Sequence, residues 1–229
     1  MEFIAFTYVG NFISDGLIKE VVFDVFDGAN RFFEENSLPL RFLYVGKLKL
    51  EPGYLIDIYT PEGKIRAYPL EVLTEVLHAR LLNEIEGRSD IRMNKIFALT
   101  TFPLVSRNPY LDFFEKFMGI HKTHGELRVM VLSMNPFEPP ELSRLLGGSD
   151  EGERTRLRRG LEIFKTRLLK GILHEIGHSF GLEHCPNNCI MNSPSSMDEW
   201  DSITVGYCDS CFISLKRAVE WSDFSLGNR

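Results

Sequence analysis

Between residues 174 and 185 the chain reads His-Glu-Ile-Gly-His-Ser-Phe-Gly-Leu-Glu-His-Cys, and this run demands a helix, a stop and a reversal in that order. Residues four apart on a helix share a face and lie about 6 Å apart along its axis, so His174 and His178 can grip one ion together. Glu175 stands one residue round from His174, beside such an ion rather than on it, where a carboxylate can take a proton from bound water. Gly181 falls where the helix must end. A left-handed residue there turns the chain and returns His184 as a third ligand. Glu183 is expected to face solvent. Three protein ligands leave one zinc position open, and that opening separates a catalytic zinc from a structural one.

All four cysteines of the chain lie downstream in one cluster, Cys185, Cys189, Cys208 and Cys211. Cys208-Asp209-Ser210-Cys211 has the CxxC spacing at which two thiolates meet one tetrahedral ion, and Cys185 to Cys189 is a slightly wider counterpart. Together they propose a four-cysteine structural zinc. The alternative is two disulfides, which needs an oxidising compartment. The apolar opening, Met1 to Gly10, carries Glu2 and lacks a basic leader and a small-residue cleavage site, so a buried strand is expected rather than a secretory signal.

The extended pattern HExxHxxGxxH, followed at once by cysteines, then Cys189-Ile190-Met191, then Cys208 to Cys211, resembles the archaemetzincins of the metzincin clan. The resemblance implies an α+β, zincin-like fold: a mixed twisted sheet backed by helices, a long zinc-binding helix, and a small C-terminal zinc-stabilised part. It also implies that Met191 is the methionine of the Met-turn, an apolar floor under three imidazoles; alone, a methionine there is ordinary core packing. The loops from Cys185 to Cys189 and from Met191 to Cys208 are each one residue shorter than is usual in that family. One catalytic domain is expected over 1–229, with 1–184 as an upper part and 185–229 as a lower one.

Hydrophobic residues make up 44% of the 229 and charged ones 25%, which argues against disorder, and the net charge of −6 argues weakly against nucleic acid as a partner. No apolar stretch approaches the roughly 20 residues of a membrane span. A cytoplasmic monomer is expected. Against the acidic balance, Arg154, Arg156, Arg158, Arg159, Lys165, Arg167 and Lys170 crowd the approach to the histidines. Interleaved Leu157, Leu161, Phe164, Leu168 and Leu169 favour an amphipathic helix with a solvated charged side over a basic groove. Ile172 and Leu173 continue its stripe to His174, with Gly171 as a weak point or kink.

Upstream, strands are expected at about 2 to 9, 40 to 46, 94 to 101, 110 to 117 and 126 to 133, with Leu55 to Tyr59 as a hairpin arm. Asp15 opens one helix and Pro69 a second. The stretches 135–140 and 147–152 read as loops, with at most a turn of helix at Leu142, Leu145 and Leu146 between them. The resemblance puts the strand from Tyr110 to Phe117 at the sheet edge along a cleft, although Phe113, Phe114 and Phe117 equally suit a core. His78, His121 and His124 have no ligand partners but one another, and the last two are expected on a surface turn. Tyr207 is read as packed or exposed rather than as a donor to a reacting oxygen.

The expected function is a zinc-dependent peptidase that holds two zinc ions and acts on peptides, with Glu175 as general base and then acid. A zinc-stabilised peptide-binding module with little or no turnover is the alternative.

Overall fold

A computed structural model describes residues 1–9, 15–50, 52–60, 63–88, 90–108, 113–139, 142 and 151–226. They fall into two compact units, one built from residues 1–18 and 40–136, the other from 19–39 and 137–229.

The first unit holds two sheets. The apolar run at the start forms β1 (Glu2–Val9), flanked in parallel by β2 (Leu40–Tyr44) and by β5 (Met93–Thr100). Beyond β5 comes β9 (Leu127–Ser133), also parallel, and then β8 (Gly119–His124), antiparallel at the edge. The inner strands are near-continuous apolar runs and almost wholly buried, the pattern of parallel strands. Along one face, helix α2 (Leu70–Gly87) lays Leu73, Leu77 and Leu81 against Ala5, Val9, Ile96, Ala98 and Val131. Pro69, with φ fixed at −61°, delivers the chain into that helix as its spacing predicts. Glu2, only 1% exposed, pairs with Lys95 of β5, itself 3% exposed, so each buried charge is compensated by the other.

The second sheet is small. Its strands run β3 (Ile56–Thr60), β4 (Gly63–Pro69), β6 (Leu104–Asn108) and β7 (Phe113–Phe117). β3 is the expected hairpin arm, and β4 is its partner, in antiparallel register from Ile56 against Ala67 to Thr60 against Gly63.

Two expectations change here. The strand at 113–117 belongs to the small sheet, and the edge of the large one is β8, whose polar sequence hid it. An antiparallel edge strand tolerates polar residues because it is not buried on both faces, and Lys122 on it is the kind of charge that blunts edge pairing. His121 and His124 therefore sit in a strand rather than a turn, and the His124 ring stacks on His78 of α2 at 4.2 Å between centroids. Tyr110 and the stretch 143–150 lie outside the described residues.

The second unit is helical. α1 (Asp15–Glu35) buries Val21, Val22, Val25, Phe26 and Ala29 of the stripe that helical spacing marks from Leu17 to Ala29, leaves Leu17 and Ile18 half-buried, and adds Phe33 to the core. α3 (Glu151–Ser179) is one helix of 29 residues. It passes through the buried Gly171 without interruption, because tertiary packing outweighs the roughly 1 kcal/mol propensity cost of a glycine. Gly28 of α1 lies against Leu169 of α3, and Lys165 pairs with Asp24 at 2.7 Å. Then follow α4 (Met197–Ser202) and α5 (Asp209–Leu226). Arg154, Arg156, Arg158 and Arg159 are exposed, which fits the solvated-face reading.

Candidate metal centre

The C-terminus of α3 closes with Gly181 at φ +85°. Gly181 N–H donates to His178 O at 2.9 Å and Leu182 N–H to Gly177 O at 3.0 Å, the paired bonds of a Schellman cap. A β-carbon at that φ costs about 1 kcal/mol or more, which glycine avoids. The cap does more than end the helix. It swings the Leu182 carbonyl back to accept a hydrogen bond from His178 Nδ1 at 2.7 Å, while His174 Nδ1 donates to Ile190 O, also at 2.7 Å.

Those two bonds fix the tautomers. A carbonyl oxygen only accepts, so each Nδ1 carries the proton and each Nε2 presents a lone pair. The two Nε2 atoms face one another at 3.0 Å, and burial lowers the His174 pKa to about 4, with the backbone bond to Ile190 opposing. Two acceptor lone pairs at that distance repel unless a cation sits beside both. His184 brings its ring within 5.4 Å of His174 and 4.9 Å of His178, centroid to centroid, and one ring nitrogen from each of the three lies within 4.8 Å of the others. A tetrahedral ion with metal–nitrogen bonds near 2.05 Å needs nitrogen separations of about 3.3 Å, so the set fits zinc with a small adjustment. Among the described residues no fourth histidine, cysteine or carboxylate completes the group. Glu175, next to His174 in the chain, is only 6% exposed, and burial raises its carboxyl to about 8. Glu183 is exposed, as expected.

The four cysteines also converge, their sulfurs all within 4.8 Å, and all four are free thiols. Cys185 Sγ lies 3.8 Å from Cys208 Sγ, the edge of a tetrahedron with metal–sulfur bonds of about 2.3 Å and far beyond the roughly 2.05 Å of a disulfide. Cys208 N–H donates to Cys189 Sγ at 3.2 Å, and the Ser210 hydroxyl beside Cys208 favours its thiolate. Cys211 lies in the first turn of α5; burial and the neighbouring cysteines push its thiol well above the usual range.

Met191, fully buried, lies against α3 at Gly177. Tyr207 is packed, as one of its two readings expected, with its hydroxyl donating to Leu173 O and its ring 6.0 Å from Phe32.

Several supporting residues carried no readable signal. The Trp200 ring meets His174 edge-on at 5.9 Å and Phe137 at 5.8 Å. Its helix α4 is clipped to α3: Lys170, 2% exposed, donates to Trp200 O and Asp201 O, and Arg167 forms two 2.7 Å bonds to the Asp201 carboxylate. So Lys165, Arg167 and Lys170, which resembled part of a solvated basic face, are structural. The one legible hint was Ser196-x-x-Glu199, a helix-starting pattern in which Ser196 accepts from Glu199 N–H. Trp200→Ala is expected to cost about 3–5 kcal/mol in denaturant unfolding, the range for large aromatic truncations. Trp200→Phe is expected to recover most of it.

Two helix-borne imidazoles, a third returned by the glycine cap, and a four-thiol cluster directly after them define a class of candidate metal-binding site. The chain belongs to peptidase family M54, whose model matches residues 1–146 and 154–217. Over 55 residues it is 42% identical to the archaemetzincin of Archaeoglobus fulgidus, a stretch amounting to 24% of this chain and 34% of that one. The alignment thus spans about a third of that curated relative. The fold is similar to the crystal structure of archaemetzincin from Methanopyrus kandleri, with a TM-score of 0.59 at 22% identity over 96% of each chain. It is also similar to a zinc-dependent peptidase from Methanocorpusculum labreanum, at 0.55 and 20% identity over 92% of this chain and 99% of that one. The expected α+β fold, a mixed sheet backed by helices, is thereby established, with a C-terminal cysteine cluster that could bind zinc. No helix among the described residues is long and apolar enough to cross a membrane.

Proposed function

We propose that the protein is a zinc peptidase, with His174, His178 and His184 as ligands of a catalytic zinc, Glu175 as its proton carrier, and Cys185, Cys189, Cys208 and Cys211 as ligands of a structural zinc. The observation that carries the reading is the pair of unprotonated Nε2 atoms at 3.0 Å, locked in place by carbonyls on their far sides. When bound, zinc supplies a Lewis-acidic charge that lowers the pKa of water toward roughly 7 and polarises a peptide carbonyl.

The chain's own residues do the rest. The Ile190 and Leu182 carbonyls hold the His174 and His178 imidazoles oriented, with each Nε2 lone pair directed at the site. Burial makes Glu175 a strong base for a carboxylate, and a neighbouring divalent charge favours its ionised form. It takes the proton of the attacking water and delivers it to the departing amine. Met191, wedged between this helix and the cysteine segment, keeps the base of the triad dry.

Digestion of a peptide library by the zinc-replete protein, read by mass spectrometry, tests this. Cleavage is expected, its loss on chelation, and its return when zinc is restored. A zinc-replete protein that cleaves no member of a broad library counts against the proposal.

A further inference from the structure

We infer that the two metal clusters bind cooperatively: filling the cysteine cluster organises the histidine site, and filling the histidine site tightens the cysteine cluster. This rests on the reading above that both clusters hold metal.

The clusters share a backbone. His184 and Cys185 are consecutive, so placing one sulfur places the third imidazole within a peptide unit. Cys189, Ile190 and Met191 are consecutive and all fully buried. Within that triplet the first residue belongs to the thiol cluster, the second lends its carbonyl to His174 Nδ1, and the third lies against Gly177. The segment is closed by Cys185 N–H donating to Met191 O at 2.8 Å, Ile190 N–H to Gly206 O at 2.8 Å, and Cys208 N–H to Cys189 Sγ at 3.2 Å. Two of the three histidines are thus held by the loop that carries two of the four sulfurs. Only His178 is oriented from within its own helix end, through Leu182.

The physical consequence is a shared ordering cost. Without metal, the stretch from 184 to 191 is pinned by only a few hydrogen bonds, among them Cys185 N–H to Met191 O and Ile190 N–H to Gly206 O. Whichever ion binds first bears most of the loss of loop freedom, and the second binds a segment already ordered. Coupling of this kind is reciprocal, so the same factor must appear in both affinities.

Cobalt(II) separates the two sites in one protein, because thiolate ligation gives an intense charge-transfer absorption in the near ultraviolet and nitrogen ligation only weak visible bands. The reduced, metal-free chain is titrated with cobalt(II) against a competing chelator, beside Cys211→Ser and His178→Ala. Cys211 is chosen because it lies on α5, outside the shared loop. In Cys211→Ser the histidine site is expected to bind at least tenfold more weakly, with all three histidines present. In His178→Ala the charge-transfer site is expected to weaken by the same factor, compared with the parent protein at cobalt concentrations that fill both sites. His178→Ala removes one partly exposed ring and leaves the rest of α3 intact, so it gives an answer even if Cys211→Ser does not fold. An unchanged thiolate affinity in His178→Ala overturns the cooperativity. A parent protein with no charge-transfer band at all overturns instead the assignment of the cysteines as a metal site, and the inference with it.

Discussion

Glu175→Gln is expected to lose peptide hydrolysis by about 10²- to 10⁴-fold, the usual contribution of a positioned general base, while zinc content stays at the parent level. The amide is nearly the same size as the carboxyl, so the packing around a side chain only 6% exposed survives. What disappears is the capacity to take a proton from water and return it to an amine. The two readouts must diverge for the assignment to hold. The three histidines proposed as ligands are untouched, so metal analysis should show the same stoichiometry. Thermal unfolding should show no loss of stability, because a neutral group replaces one whose charged form burial disfavours. Activity equal to that of the parent removes Glu175 from the mechanism. Loss of zinc together with activity makes it a ligand or a packing residue rather than a base.

Gly177→Ala makes a second, opposite kind of prediction, since helix propensity alone says that it should help by about 1 kcal/mol. The tertiary environment says otherwise. A β-carbon at 177 would sit 2.3 Å from Met191 Sδ, 3.1 Å from Met191 Cε and 3.3 Å from Tyr207 Cε1. Met191 has no solvent to retreat into, being fully buried, so relief requires the 189–191 segment to shift. That shift carries the Ile190 carbonyl away from His174. Overpacking of this sort costs about 1–3 kcal/mol, enough to cancel the propensity gain and exceed it. The expected result is a lowered midpoint in denaturant and weaker zinc binding at the histidine triad. Met191→Ala in the Gly177→Ala background should recover part of both, and the double-mutant cycle isolates the contact. A Gly177→Ala protein as stable as the parent, with unchanged metal affinity, shows that Met191 moves freely and is no floor.

Some of the fold was legible because its signals are local. The stripe Val21, Val22, Val25, Phe26 and Ala29 is a helix face at 3.6-residue spacing, and Pro69 before a run of leucines is a helix start, whatever surrounds them. The β3 arm was legible too. Its partner β4 was missed although Ile65 and Ala67 alternate with Lys64 and Arg66, because the run is short and charged. β8 was missed for a stronger reason. Gly119-Ile-His-Lys-Thr-His holds two β-branched residues but no clear apolar alternation, so it becomes a strand only when β9 offers it a ladder; pairing is a property of two segments rather than one.

At the metal centre the same division holds. The residue types and spacings of 174 to 185 specify, by themselves, a helix with two imidazoles on one face, a glycine stop and a returning third histidine, through helical periodicity and left-handed backbone; for the four cysteines they left two disulfides as an alternative to a thiol cluster. Only the tertiary structure decided what holds them: the Ile190 and Leu182 carbonyls, the Trp200 edge, the Lys170 clip and the Met191 contact that forbids a side chain at 177. Every residue has a carbonyl and most cores have a tryptophan or a methionine, so such partners leave no mark in a string of letters. They become specific only when chain segments distant in sequence are brought within van der Waals reach.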